Sequence, residues 1–328
     1  MEILKGIHGA IVPSEEEITD CLNKLGWLRI IDTIEETFLQ EAVGCTISPP
    51  KTIMVLEGHN NDYRVMPSFM QKYSQFCGTK IISCCVDNPS QYNLPLAMGI
   101  YVLNDAITQK TIMICDACAL TAYRTAAATA VAVRALSNED SEKLGIIGCG
   151  KQSYYHIPAI KAVRNIKDIY IHDINEHNMN KLVDNFPNID IKKSKKDKIF
   201  KECDIVVTLT PTDEPHIFIN DIVPSKDMLI CAVGGDNEDK IEFEPGVLTL
   251  VDHFCDSYDQ VAHTGLVSRA LEEGIVDKNR LKSLGDFMKG KRGFCYPNKE
   301  NKMFISTGVA LEDLALAILI YDNYKRMP

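Results

Sequence analysis

Lys143-Leu144-Gly145-Ile146-Ile147 runs into Gly148-Cys149-Gly150-Lys151-Gln152-Ser153, the G-x-G-x-x-small spacing that joins a strand to a helix in dinucleotide-binding folds. The first glycine permits a tight turn, the second lets the backbone approach a pyrophosphate, and a small third residue allows close helix–strand packing. The helix that follows offers N–H groups and a partial positive charge to phosphate. A second apparent strand, 168–172, ends at Asp173. There a carboxylate can accept hydrogen bonds from the adenosine ribose hydroxyls and disfavour a 2′-phosphate, which points to NAD. The other reading of Asp173 is a turn or cap residue.

Asp236 is a second candidate, because it follows Gly234-Gly235 after a run, 228–233, that reads as a parallel strand. Sites in α/β proteins are built at that edge of the sheet. An aspartate after two glycines also serves as a plain turn residue. Cys115-Asp116-Ala117-Cys118 has zinc or redox spacing, but neither a second pair nor a His-x-x-x-His partner accompanies it, so no metal is expected. The basic run 192–198 reads as a solvated surface turn beside a helix and lies too far along the chain to form a 2′-phosphate site.

The elements that must position these residues fall into two patterns. From residue 143 onward, apolar runs at 144–147, 169–172, 204–209, 228–233 and 247–251 alternate with helical segments, which implies a mostly parallel sheet covered on both faces. Earlier, the runs 51–57, 63–66, 79–85 and 99–103 are separated by Asn, Asp, Gly and Pro and look like antiparallel strands with turns. Residues 15–43 read as helical, with a Ser14/Glu17 capping signal, apolar residues from Trp27 to Phe38 at helical spacing, and Gly26 as an interruption. The alanine-rich segment 117–136 predicts a tightly packed helix near a domain boundary, and the apolar segment 308–321 a last helix that returns to the first domain.

Composition narrows the function classes. A chain of 328 residues, 45% hydrophobic and 24% charged, is globular and long enough for two domains. Its net charge of −10 argues against nucleic acid or an anionic membrane surface as partner. No apolar stretch follows a basic N-terminus and no run reaches about eighteen apolar residues, so a cytoplasmic protein is expected. The twelve cysteines are scattered through apparent core segments, where free cysteine packs as a small hydrophobe.

Several blocks together resemble the ornithine cyclodeaminase/mu-crystallin family in order and spacing. They are Tyr63-Arg64-Val65-Met66-Pro67, Gly78-Thr79-Lys80, Asp87-Asn88-Pro89, Leu120-Thr121-Ala122-Tyr123-Arg124-Thr125-Ala126-Ala127, Gly148-Cys149-Gly150-Lys151-Gln152-Ser153, Ala232-Val233-Gly234-Gly235-Asp236 and Ser306-Thr307-Gly308-Val309-Ala310-Leu311-Glu312-Asp313. The resemblance implies an α/β fold: a Rossmann doubly wound parallel sheet over 119–307, plus a discontinuous α+β substrate and dimerisation domain from 1–118 and 308–328. It implies a homodimer. It also implies that Arg124 and Lys80 hold the substrate carboxylate and the reacting amine, with Lys51 and Arg64 as further positions around that carboxylate. Asp236 is then the general base and Lys80 a possible proton relay. Gly148, Gly150, Gln152, Ser153 and Asp173 bind NAD together with Thr208, Thr210, Val233, Gly234 and Ser306, although Thr210 and Ser306 read equally as caps.

Three activities follow from the resemblance. An NAD(H)-dependent amino-acid dehydrogenase or imine reductase would interconvert a small L-amino acid with its imino or 2-oxo acid. An ornithine cyclodeaminase would use the same first step, then ring closure, and recycle NAD. A mu-crystallin-like binder would keep the cofactor site alone, which the joint presence of Lys80, Arg124 and Asp236 argues against. Arg64 favours the oxidoreductase, because a cation there would repel the distal ammonium of ornithine. Four cations exceed what one carboxylate needs, so one or two are expected to pair with carboxylates such as Glu57 or Asp62.

Overall fold

In the computed structural model, which describes residues 9–56, 61–73, 75–85, 87–223, 227–277, 281–290 and 301–325, Ser14 closes a capping box. Its Oγ accepts from Glu17 N at 3.2 Å, and the Glu17 carboxylate accepts from Ser14 N at 2.9 Å. Helix α1 (Glu15–Leu25) ends at Gly26, and α2 (Trp27–Ala42) restarts immediately. The expected helical stretch is therefore two helices broken at the expected glycine.

Six strands follow: β1 (Thr46–Ile47), β2 (Thr52–Val55), β3 (Asn61–Met70), β4 (Phe76–Cys85), β5 (Ala97–Asp105) and β6 (Thr111–Asp116). They form an antiparallel sheet in the order β1-β3-β4-β5-β6, with β2 on the other half of β3. The strand expected over 51–57 is shorter, and Glu57 lies outside the described residues. Strand β6 went unread in the sequence. Register puts Arg64 beside Ile82, and aligns Met66, Lys80, Tyr101 and Cys115 across the sheet, all on one face. The opposite face carries the rows Met54-Tyr63-Ser83-Met98 and Thr52-Val65-Ile81-Ile100.

Helix α3 (Ala117–Leu136) is almost entirely buried, as its alanine content requires for close packing. Beyond it, β7 (Lys143–Ile147), α4 (Ser153–Lys161), β8 (Asp168–His172), α5 (Glu176–Asn185), β9 (Ile191–Lys193), α6 (Lys196–Glu202), β10 (Ile205–Thr208) and β11 (Leu229–Ala232) alternate. They continue into β12 (Asp252–Cys255), α7 (Tyr258–Val261), α8 (Gly265–Glu272), β13 (Lys282–Ser283), α9 (Leu284–Lys289) and β14 (Lys302–Ile305). All eight strands pair in parallel in the order β13-β12-β14-β11-β10-β7-β8-β9, the doubly wound arrangement whose order reverses beside β7.

Two expectations were displaced here. Residues 247–251 are not a strand: Pro245 opens a 3-10 turn over Pro245–Thr249, and the strand is the next segment, β12. The lysine run, expected as a surface turn, contains strand β9 and the start of α6; Lys192 pairs with Asp168 at 2.6 Å.

The last helix, α10 (Ala310–Lys325), packs on α2, β3, β4 and β5. By contact the chain divides into one unit from the segments up to Arg124 and from Val309 onward, and a second from Thr125 to Gly308. Among the described residues no helix is long and apolar enough to cross a membrane.

Candidate functional site

Strand β7 is followed by Gly148, whose φ of 96° belongs to glycine. A Cβ there would stand 3.0 Å from the Leu209 carbonyl, so the turn after β7 and the loop after β10 need glycine to approach. At Gly150 a Cβ would meet no atom within 4 Å, which leaves the open backbone that a pyrophosphate requires. Ser153 Oγ donates to Gly150 O at 2.7 Å and closes the turn into α4. Gln152 precedes that helix without providing a side-chain cap.

Asp173 stands at the end of β8, as expected, and touches this turn: Cys149 N donates to its Oδ2 at 2.7 Å and Asn175 N to its Oδ1 at 2.8 Å. The acid at the end of β8 and the glycine turn after β7 are thus one hydrogen-bonded unit. These residues fit a dinucleotide.

The loops after β10, β11 and β14 are each tied to a buried carboxylate that the sequence did not reveal. Glu242 accepts from Thr208 Oγ1 (2.8 Å), Thr210 N (2.8 Å), Thr210 Oγ1 (2.5 Å) and Gly234 N (2.8 Å). Burial pushes its carboxyl pKa up, and the bonds from Thr210, Thr208 and Gly234 pull it back. Gly234 is obligatory, because a Cβ would stand 2.3 Å from Thr210 O and 2.5 Å from Glu242 Cδ. Asp256, also buried, accepts from Ser257 N (2.7 Å), Thr307 N (2.5 Å), Gly308 N (2.7 Å) and Ser306 Oγ (3.3 Å). The Thr208, Thr210 and Ser306 hydroxyls therefore serve internal carboxylates. The Thr208 side chain is fully buried. Val233 N donates to Thr208 O, tying the two loops by backbone as well.

The cations of the first unit meet carboxylates too. Lys80 Nζ lies 2.7 Å from Asp313 Oδ2; Arg124 Nη1 lies 2.7 Å from Glu312 Oε2, and its Nε 3.3 Å from Asp313 Oδ1. All four residues are buried. Two cations and two anions balance, which is how charge persists out of water. Burial pushes the Lys80 ammonium down to about 8, Asp313 holding it up and Arg124 pushing it further down. Thr121 Oγ1 lies 3.5 Å from the same nitrogen. Glu312 and Asp313 interrupt the otherwise apolar stretch from Ala310 to Tyr321.

Arg64 shares the Lys80 face of the sheet but is committed to Asp62, through Nε to Oδ1 (2.9 Å) and Nη2 to Oδ2 (2.6 Å). The pairing with Asp62 foreseen from the excess of cations is present. It corrects the argument drawn from Arg64, since a bidentate pair presents no net charge to repel an ammonium. Lys51 is half-buried, one residue before β2. Asp236 lies in the loop after β11, one-third exposed, and accepts from Lys240 Nζ at 2.7 Å. Cys115 and Cys118 are free thiols, and no cluster of metal-ligand side chains occurs among the described residues.

A glycine phosphate turn answered by an acid at the next strand, on a doubly wound parallel sheet, defines a dinucleotide-binding α/β protein. The pattern of the ornithine cyclodeaminase/mu-crystallin family matches residues 16–327, and the chain belongs to that family. It is 28% identical over 295 residues to an alanine dehydrogenase of Archaeoglobus fulgidus, covering 89% of each chain. Its fold is similar to Thermococcus litoralis Δ1-pyrroline-2-carboxylate reductase in complex with NADH and L-proline, with a TM-score of 0.88, 27% identity and coverage of 96% and 97% of the two chains. An archaeal alanine dehydrogenase dimer with bound NAD gives 0.87 and 26%, over 96% of each.

Proposed function

We propose that the protein is an NAD(H)-dependent oxidoreductase that interconverts a small L-amino acid with its imino or 2-oxo acid. The observation that carries this reading is the phosphate turn bonded to Asp173, in a chain that also holds the buried cations Lys80, on β4, and Arg124, on α3. Similarity to alanine dehydrogenase and to a reductase of a cyclic imino acid supports it.

When bound, NAD supplies the hydride acceptor for the substrate Cα–H. The protein must orient that bond and handle protons. Arg124 and Lys80 hold the substrate carboxylate as cations, their positions fixed by Glu312 and Asp313. Asp236 accepts the proton of the water that attacks the imine carbon, and ammonia departs to leave the 2-oxo acid; in the reverse direction Asp236 returns that proton. Gln152, Ser153, Val233 and Gly234 lie on the loops that receive the dinucleotide.

Asp62 favours keeping one second reading. Because it neutralises Arg64, an ornithine cyclodeaminase activity is compatible with the charge of this face. The test is incubation of the protein and NAD with a panel of L-amino acids including alanine and ornithine, following NADH and ammonia in one sample. Matching NADH and ammonia is the expected result. Ammonia from ornithine without net NADH would replace the oxidoreductase reading with the cyclodeaminase, and neither product from any amino acid would reject both.

A homodimer is part of this proposal. Met54, Met98 and Ile100 are exposed on the sheet face away from Lys80, an apolar surface of the kind that a second copy covers.

A further inference from the structure

Glu242 and Asp256 lie outside the proposed catalytic set, yet between them they gather the loops at the carboxyl ends of β10, β11 and β14. We propose that these two carboxylates are positioning residues for the nicotinamide end of the dinucleotide, acting through Thr210, Gly234 and residues 306–308. The inference rests on the reading above that these loops receive the dinucleotide: the turn after β7 and Asp173 take its pyrophosphate and adenosine ribose, which leaves the nicotinamide end to the loops after β10, β11 and β14.

Plain cohesion does not explain a carboxylate at either place. Burying a charge is unfavourable unless hydrogen bonds satisfy it. What a carboxylate adds is direction. Glu242 takes the N–H groups of Thr210 and Gly234 at 2.8 Å each, and Asp256 takes those of Thr307 and Gly308 at 2.5 and 2.7 Å. Each peptide plane is rigid, so fixing its N–H fixes the opposite direction of its carbonyl. In this way two side chains set the orientation of four peptides along one edge of the sheet, where α/β proteins bind their ligands.

The donors leave little freedom for substitution. Glu242 faces two N–H groups and two hydroxyls. His216 Nε2 lies 2.7 Å from Thr210 Oγ1, whose own proton goes to Glu242, so His216 is the donor in that contact. The order is then His216 to Thr210 to Glu242, and every member points its hydrogen toward the carboxylate. An amide at 242 would turn an NH2 toward these donors and force at least one of the loops to move. Gly234 shows how little movement is accommodated, because even a methyl group there collides with Thr210 O and Glu242.

The test separates nicotinamide positioning from general loss of structure by using two ligands. NADH and ADP-ribose share the adenosine and pyrophosphate, but ADP-ribose lacks the nicotinamide. Binding of each is measured for the whole protein, for Glu242→Gln and for Asp256→Asn, together with kcat on an amino acid that the unaltered protein oxidises. The expected result is a split: ADP-ribose binding unchanged, NADH affinity reduced toward that of ADP-ribose, and kcat lowered on the order of 100-fold by misplacement of the reacting ring. Equal losses for both ligands, or retention of NADH binding and kcat, would overturn the inference. Should the amide variants not fold, Glu242→Asp and Asp256→Glu keep the charge, move it by one methylene, and are read by the same split. An unaltered protein that binds neither ligand would reject the dinucleotide reading itself, whereas one that binds both, with variants showing no split, rejects the positioning role alone.

Discussion

Lys80 and Asp313 form an ion pair of 2.7 Å with side-chain exposures of only 2% and 0%. Met66, Lys80 and Tyr101 form one row across the sheet, and α10 brings Asp313 down onto it. Around the pair stand Arg124 and Glu312, with Arg64 and Asp62 on the same sheet face. Burial pushes the Lys80 ammonium down and a residue more than two hundred positions away in sequence holds it up, and that dependence can be measured.

The ammonium titrates at about 8. If it must be charged to hold the substrate carboxylate, kcat/KM falls as pH rises through that value. Asp313 raises the Lys80 pKa and Arg124 lowers it, so Asp313→Asn should move the alkaline limb toward lower pH. At pH 8 the variant should lose roughly tenfold in kcat/KM for each unit that the limb moves. It should also lose about 3 kcal/mol or more of stability, because a buried cation is left short of a partner. A pH–rate profile with an unmoved limb would remove Lys80 from the carboxylate site.

Asp173 offers a cleaner separation of ligands. Its two oxygens bond Cys149 N and Asn175 N in the structure, so replacing it loosens the turn and removes the ribose acceptor. Asp173→Ala should weaken NAD by roughly tenfold or more, the value of a hydrogen bond to a charged group. NADP should be weakened far less, since its 2′-phosphate is relieved of a nearby carboxylate. Titration with both cofactors decides the point, and equal losses would place Asp173 outside the ribose site.

Much of this arrangement was legible in the sequence because it is local. Strand, glycine turn, helix and the next strand's acid follow one another within about thirty residues, and each carries its own pattern. The four buried carboxylates were not legible, because what identifies Glu242 is the convergence of Thr208, Thr210 and Gly234, which lie apart in the chain. Asp256 likewise depends on residues 306–308, and Glu312 and Asp313 on Lys80 and Arg124. Strand β6 was missed although Met113 and Cys115 alternate with more exposed neighbours. The apolar run at 247–251 misled for the opposite reason: Val247 and Leu248 are buried from a 3-10 turn, where apolar content says nothing of strand pairing.

Asp236 is held by Lys240 at 2.7 Å and is one-third exposed, a placement that lets water reach it. Asp236→Asn should lower kcat by roughly 100-fold to 10,000-fold, the range for loss of a general base, with NAD affinity nearly intact. Turnover close to that of the unaltered protein, or loss of NAD binding, would show that Asp236 shapes the loop after β11 rather than moving a proton.

His156 gives a prediction about stability alone. It is fully buried on α4, with Nδ1 2.8 Å from Gln152 O and Nε2 3.1 Å from Thr129 Oγ1 on α3. A carbonyl only accepts, so Nδ1 carries the proton of the neutral ring. Burial pushes the His156 pKa down from 6.5 to about 4, and the bond to Gln152 opposes that shift. Between these two values the unfolded chain binds a proton that the native chain does not, so stability falls as pH drops from 6.5 toward 4 and levels off below. The slope from this residue is about 1.4 kcal/mol per pH unit. Urea unfolding of the unaltered protein and of His156→Gln at pH 7.5 and pH 5 isolates it, because the variant cannot titrate there. The variant should be less stable at pH 7.5, where the imidazole fits its two partners, and the gap should narrow at pH 5. A gap that stays constant would mean that His156 is protonated, or reached by water, in the native protein.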